Sequence, residues 1–170
     1  MISSVASSLC GLLFAGTAIY LALMDLTTMT IRNTVVVMLL VAYAVLAPLS
    51  GIPLQDIALS TAMAVGTLVI GIACFSYGWI GGGDAKLAAV AALWLGVSHT
   101  FDFLLCTALF GGGLTLVLLF FRTLIMPASL AAMPWIQRLH AKGGGVPYGV
   151  AMAAAVLAIL PKTHWAFTGF

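Results

Sequence analysis

The sequence predicts an all-α membrane protein with about six transmembrane helices, and two observations carry that prediction. Of its 170 residues, 64% are hydrophobic and 6% are charged, against roughly a quarter charged in soluble domains, and the mean hydropathy is +1.24. Such a chain cannot cover itself with a water-facing surface, so the outside of its fold faces lipid. The second observation is that the apolar residues form runs close to the ~20 residues a helix needs to cross a bilayer. Short clusters of polar residues, Gly and Pro separate them. Residues 1–170 read as a single transmembrane domain, with no internal repeat and no soluble domain boundary.

The runs fall at about 5–24, 34–50, 57–78, 84–98, 101–121 and 146–163. The first follows Ser3, Ser4, Ser7 and Ser8 without the basic n-region of a signal peptide, so it is expected to stay as a membrane helix. Breaks are expected at Asp25 to Asn33, Ser50 to Asp56, Gly81 to Gly83, Ser98 to Asp102 and Arg122 to Gly145. The fourth run is short. About 15 apolar residues after Asp84 reach roughly 22 Å of a ~30 Å core. One solution is a loop of Gly81, Gly82 and Gly83 that dips below the interface and puts Asp84 at membrane depth on a helix N-terminus. In the last break, Leu124, Ile125, Leu130, Met133, Trp135, Ile136 and Leu139 alternate with few charges. It reads as a basic connector, with an amphipathic segment along the interface as the other option.

Alternating the loops puts Arg32, Lys86, Arg122, Arg138 and Lys142 on one side and Lys162 on the other. By the positive-inside rule the first side is cytoplasmic and both chain ends lie outside. The same assignment puts Asp25 and Asp84 on the cytoplasmic side and Asp56 and Asp102 on the opposite one. A net charge of +2 gives a nucleic-acid partner no electrostatic support. Cys10, Cys74 and Cys106 form no CxxC pair, and His99, His140 and His164 stand apart from one another, so neither metal nor cofactor is implied.

The chain contains no Glu, so acid chemistry must come from its four aspartates, and an intramembrane ionisable residue is a functional candidate by default. Packing two helix ends together brings Asp25 and Asp84 within reach of each other. Two carboxylates held close cannot both ionise easily and share a proton near neutral pH. Such a pair activates water with one member and protonates a carbonyl oxygen or leaving amine with the other. On the residues alone a second reading stands equally: ordinary interfacial acids, solvated or paired with Arg32 and Lys86. Gly81, Gly82 and Gly83 favour the first, since glycine permits unusual backbone conformations and leaves room for an extended peptide.

The segment Gly81, Gly82, Gly83, Asp84, Ala85, Lys86, Leu87 resembles the GxGDxKL signature of the type IV prepilin peptidases. Asp25 followed by Leu26, Thr27, Thr28, Met29, Thr30, Ile31, Arg32 and Asn33 resembles that family's pattern of an Asp, several residues and IPN, with Arg32 at the proline position. Val146, Pro147, Tyr148, Gly149, Val150 and Ala151 resemble its PYG stretch before the last helix. The resemblance implies a GxGD-type aspartic protease fold with Asp25 and Asp84 catalytic. It also implies cleavage of the basic leader of prepilins and pilin-like precursors at the cytoplasmic face of a bacterial inner membrane. The length resembles the short enzymes of tight-adherence (Flp) pilus systems, the CpaA or TadV type. The expected partners are precursor proteins and membrane lipid.

Around this pair, Lys86 has two readings, tuning Asp84 or meeting the precursor, against a positive-inside anchor. Asn33 orients Asp25 or caps the second helix, and Pro147, Tyr148 and Gly149 shape the site or merely start a helix at the interface. Gly111, Gly112 and Gly113 suit close helix packing, and Trp79, Trp94, Trp135 and Trp165 suit an aromatic belt. The rival functions are a small proton- or cation-coupled transporter, which needs acids near the span centres, and an inactive pilus-assembly partner.

Overall fold

The computed structural model describes residues 2–127, 130 and 132–166. Among these residues there is no strand. The helices are α1 (Ile2–Thr28), α2 (Asn33–Leu49), α3 (Leu54–Ser76), α4 (Gly82–Leu95), α5 (Val97–Phe121), α6 (Pro134–His140) and α7 (Tyr148–Ile159), the last continued by a 3-10 turn, Leu160–Lys162. The six apolar runs correspond to α1 through α5 and α7, and the short α6 lies within the basic connector.

Three stretches, Ser7–Thr28, Leu54–Ser76 and Val97–Phe121, are long and apolar enough to cross a membrane by length and composition, while α2 and Tyr148–Lys162 are apolar but shorter. Their outward faces carry Val37, Val41, Val69, Ile70, Leu116 and Phe120, all more than half exposed. In water such a surface would drive aggregation, whereas in a bilayer it meets lipid.

The shortness of α4 has a packing explanation. Its 14 residues span about 21 Å, and Ala85, Leu87 and residues 89–95 are buried. Helices α2, α3, α5 and α7 pack around it, so it meets neighbouring helices over most of its length and need not match the bilayer thickness. Helix α3 comes close because Gly71 has no side chain: a Cβ there would stand 2.9 Å from the Cβ of Ala85. The glycines expected as a dipping loop belong to the start of this helix instead, Gly81 as its N-cap and Gly82 and Gly83 in its first turn.

The break expected over Ser98 to Asp102 is also corrected. Those residues are already helical, and a single residue, Gly96, separates α4 from α5. Its φ of 77° is a left-handed conformation that glycine adopts without a steric penalty. The hydroxyl of Thr100 donates to the Gly96 carbonyl at 2.7 Å and tightens the turn.

Two tryptophans expected in an interfacial belt are core residues. Trp94 stacks on Phe14 at 4.8 Å and donates its indole N–H to the Leu39 carbonyl. Trp165 lies 5.1 Å from Trp94 and donates to the Trp94 carbonyl at 2.6 Å. Burial supplies the driving force, and each N–H has found an acceptor, as burial of indole requires. A Cβ on Gly11 would run into the Trp165 carbonyl, so this glycine admits the C-terminal segment against α1.

The helix ends sort into two groups. One cavity gathers residues 25, 29–31, 78–84, 145, 146 and 148. Another gathers residues from the opposite ends, including Tyr43, Asp56, Ser60, Trp94, His99 and Trp165.

Candidate active site

Asp25 sits three residues before the end of α1, and its side chain leaves only 5% of the residue exposed. Its Oδ2 accepts the backbone N–H of Gly149 at 2.7 Å. Gly149 is in the first turn of α7, where backbone N–H groups have no partner inside the helix. The carboxylate supplies that partner and sits at the positive end of the helix dipole. A side chain at this position would be excluded, since a Cβ on Gly149 would lie 2.8 Å from Oδ2 and 3.0 Å from the Cβ of Asp25. Buried Pro147 is the N-cap of α7, and the ring of Tyr148 packs on Gly111, where a Cβ would come within 2.6 Å of it. Among the described residues, a Cβ on Gly112 or Gly113 would meet nothing within 4 Å, so of the three glycines expected to serve helix packing Gly111 alone does so there.

Asp84 lies in the first turn of α4, and its Oδ2 accepts the N–H of Gly81 at 3.3 Å, the backward half of a capping box. None of Gly81, Gly82 and Gly83 has a positive φ; the left-handed residue of this loop is Gly78, at 74°. Space is what the three supply. A Cβ on Gly82 would touch the ring of Phe75 at 3.4 Å, one on Gly83 the Cβ of Ile31 at 3.1 Å, and one on Gly81 the Asp84 carboxylate at 2.8 Å.

Both carboxylates line one cavity of about 590 Å³, walled also by Met29, Thr30, Ile31, Gly78, Trp79, Ile80, Gly145, Val146 and Tyr148. They are close enough for the charge of Asp25 to act on Asp84. Among the described residues neither forms an ion pair, and their hydrogen bonds come from backbone N–H groups. That arrangement leaves the carboxylates free of competing cations in a space large enough for water and an extended peptide.

Two arginines hold the walls. Met29, just beyond α1, has a φ of 54°, a left-handed conformation costing a non-glycine residue about 1 kcal/mol or more. Arg138 of α6 reaches across to the end of α1 and donates to the carbonyls of Thr27 at 2.9 Å and Thr28 at 3.2 Å. It thereby satisfies acceptors that a helix C-terminus leaves open. Arg122 donates to the carbonyls of Leu139 and Gly145, each at 2.8 Å, which ties α5 to α6 and to the Gly145–Val146 wall.

Other expected residues lie elsewhere. Lys86 donates to Asn33 Oδ1 at 3.0 Å, and neither lines the cavity of the aspartates. Asn33 is the first residue of α2 and not its cap; Arg32 holds the N-cap position with φ −70° and ψ 128°. That φ is the one proline would impose, so the backbone keeps the geometry of the usual IPN pattern. Asp56 lines the cavity at the opposite end, and Asp102, in the second turn of α5, is also remote from the site.

Met29, Thr30, Trp79, Arg122 and Arg138 were absent from the residues read from sequence as site-forming. Met29 and Thr30 lie inside the segment that follows Asp25 and Trp79 stands two residues before Gly81, and that position was the only available signal for the three. For Arg138 there was none, because it meets α1 across 110 residues of chain.

The type IV leader peptidase family has a model that matches residues 12–116 of this chain, a span that holds both aspartates and ends before Pro147. No curated protein and no solved structure matches the chain.

Proposed function

Because this chain belongs to the type IV leader peptidase family, we propose that it is a membrane-embedded aspartic endopeptidase in which Asp25 and Asp84 together activate water. The observation that carries this reading is the shared cavity, in which two carboxylates from different helices stand with backbone donors and, among the described residues, without a cation partner. An ionised carboxylate takes a proton from water as its oxygen attacks the scissile carbonyl, and the protonated one gives its proton to the carbonyl oxygen. Collapse of the tetrahedral intermediate breaks the C–N bond as the amine leaves with a proton from the pair. The cavity walls Gly81, Gly82 and Gly83 keep backbone accessible where an extended substrate would lie.

The substrate of this reading is a prepilin or pilin-like precursor, cut after its basic leader, and Flp-type precursors are the proposed class. Six membrane crossings, with both termini outside and the cavity at the cytoplasmic face of the inner membrane, fit the basic residues gathered at that end. The transporter alternative draws no support from acids grouped at the helix ends.

The test is co-expression with a Flp-type prepilin, following the precursor's size. Asp25→Asn and Asp84→Asn are expected to abolish processing, at least 10³-fold, while Asp56→Asn and Asp102→Asn leave it intact. Normal processing by either of the first two variants would overturn the assignment.

A further inference from the structure

Helices α2, α3 and α4 leave a groove of about 440 Å³ between them. Its walls are Val36 and Leu40 of α2, Val65 and Leu68 of α3, and Val90 and Leu93 of α4. Each helix lines it over about two turns, roughly 10 Å. A second depression, of about 690 Å³, shares Asn33 and Val37 with the first and continues over Met38 and Val41 on the outer face of α2. Two apolar tracks therefore diverge from one point.

At that point stands Lys86, an exposed ammonium whose one hydrogen-bond partner among the described residues is the neutral Oδ1 of Asn33. A lysine has three N–H donors, so two remain for a ligand. Asp84, two residues earlier, faces the cavity of the active site, which Lys86 does not line. A cation with spare donors at the head of two apolar tracks is complementary to a phosphate that carries two acyl chains. A transmembrane helix of a partner protein fits poorly. With side chains it is about 10 Å across, so 10 Å of its length displaces roughly 800 Å³, well above the volume of the inter-helix groove.

We propose that this groove pair binds one anionic diacyl phospholipid, its phosphate on Lys86 and the Asn33 amide, one chain between α2, α3 and α4 and the other along α2. The site is separate from the aspartate cavity and does not depend on proteolytic activity. It joins α2 to α4 beside the turn that carries Asp84.

The full chain, purified in detergent and given equimolar dioleoyl phosphatidylglycerol and dioleoyl phosphatidylcholine, would be examined by native mass spectrometry. One phosphatidylglycerol per chain is expected, favoured about fivefold, the size of one lysine contact with an anionic lipid surface. Lys86→Gln should bring the two lipids to equal retention while Lys86→Arg keeps the preference, and Ala89→Leu, which fills the groove, should lower retention of both. Equal retention by the unsubstituted protein, a preference that survives Lys86→Gln, or retention untouched by Ala89→Leu would each overturn the proposal. Displacement of the lipid by millimolar inorganic phosphate would overturn it too, since the apolar tracks would then contribute nothing.

Discussion

Gly149 meets Asp25 in two ways: its N–H donates to Oδ2 at 2.7 Å, and its missing side chain leaves the space that the carboxylate occupies. Gly149→Ala keeps the donor and removes the space, with the new Cβ 2.8 Å from Oδ2. The carboxylate must then turn away or α7 must retreat. Cleavage of a prepilin is expected to fall at least tenfold, while membrane-inserted protein remains abundant, because helix propensity slightly favours Ala. Parallel immunoblots of precursor and enzyme check both parts. The residue scale also explains the misfit in the motif. Arg32 carries the backbone φ of a proline, so the turn after Asp25 survives the substitution. Sequence comparison registers side chains, whereas the turn depends on φ.

Among the elements, the connector between α5 and α7 holds the site walls. Arg138 forks onto two carbonyls at the end of α1, next to a methionine held at a φ of 54°. Arg138→Gln should release that turn and lower cleavage about tenfold, the effect of a small misplacement at a reacting centre. Adding Met29→Asn should recover part of the loss, because Asn accepts the left-handed region more readily. Arg138→Lys should recover little, since an ammonium lacks the planar fork. Kinetics of peptide cleavage by the three variants, beside their thermal midpoints, separate a positioning effect from unfolding. The connector was legible only as basic. Arg138 and Arg122 make sense as helix-terminal donors once α1, α5 and α6 lie side by side, and nothing in the local pattern announces that.

For the molecule as a whole, the proposed orientation puts residue 55 and residue 141 on opposite sides of the membrane. In a background with Cys10, Cys74 and Cys106 replaced, Gln55→Cys should react with an impermeant maleimide in intact cells. Ala141→Cys should react only after the membrane is opened. The reverse pattern would overturn the orientation. Composition and run length were sufficient to mark an all-helical membrane protein, because the energetic penalty of exposing backbone and charge to lipid is set by the residues themselves. The motifs around Asp25 and Asp84 single out these two of the four aspartates, and the structure puts both on one cavity. What only the tertiary structure decided is the role of their surroundings. Gly149 is a donor to Asp25, the glycines before Asp84 serve space and not left-handed backbone, Lys86 faces a groove away from the acids, and Trp94 and Trp165 are core. Each of these depends on which helix faces which. Sequence periodicity marks the apolar residues, but in a membrane the lipid-facing and protein-facing sides are both apolar, so only packing tells them apart.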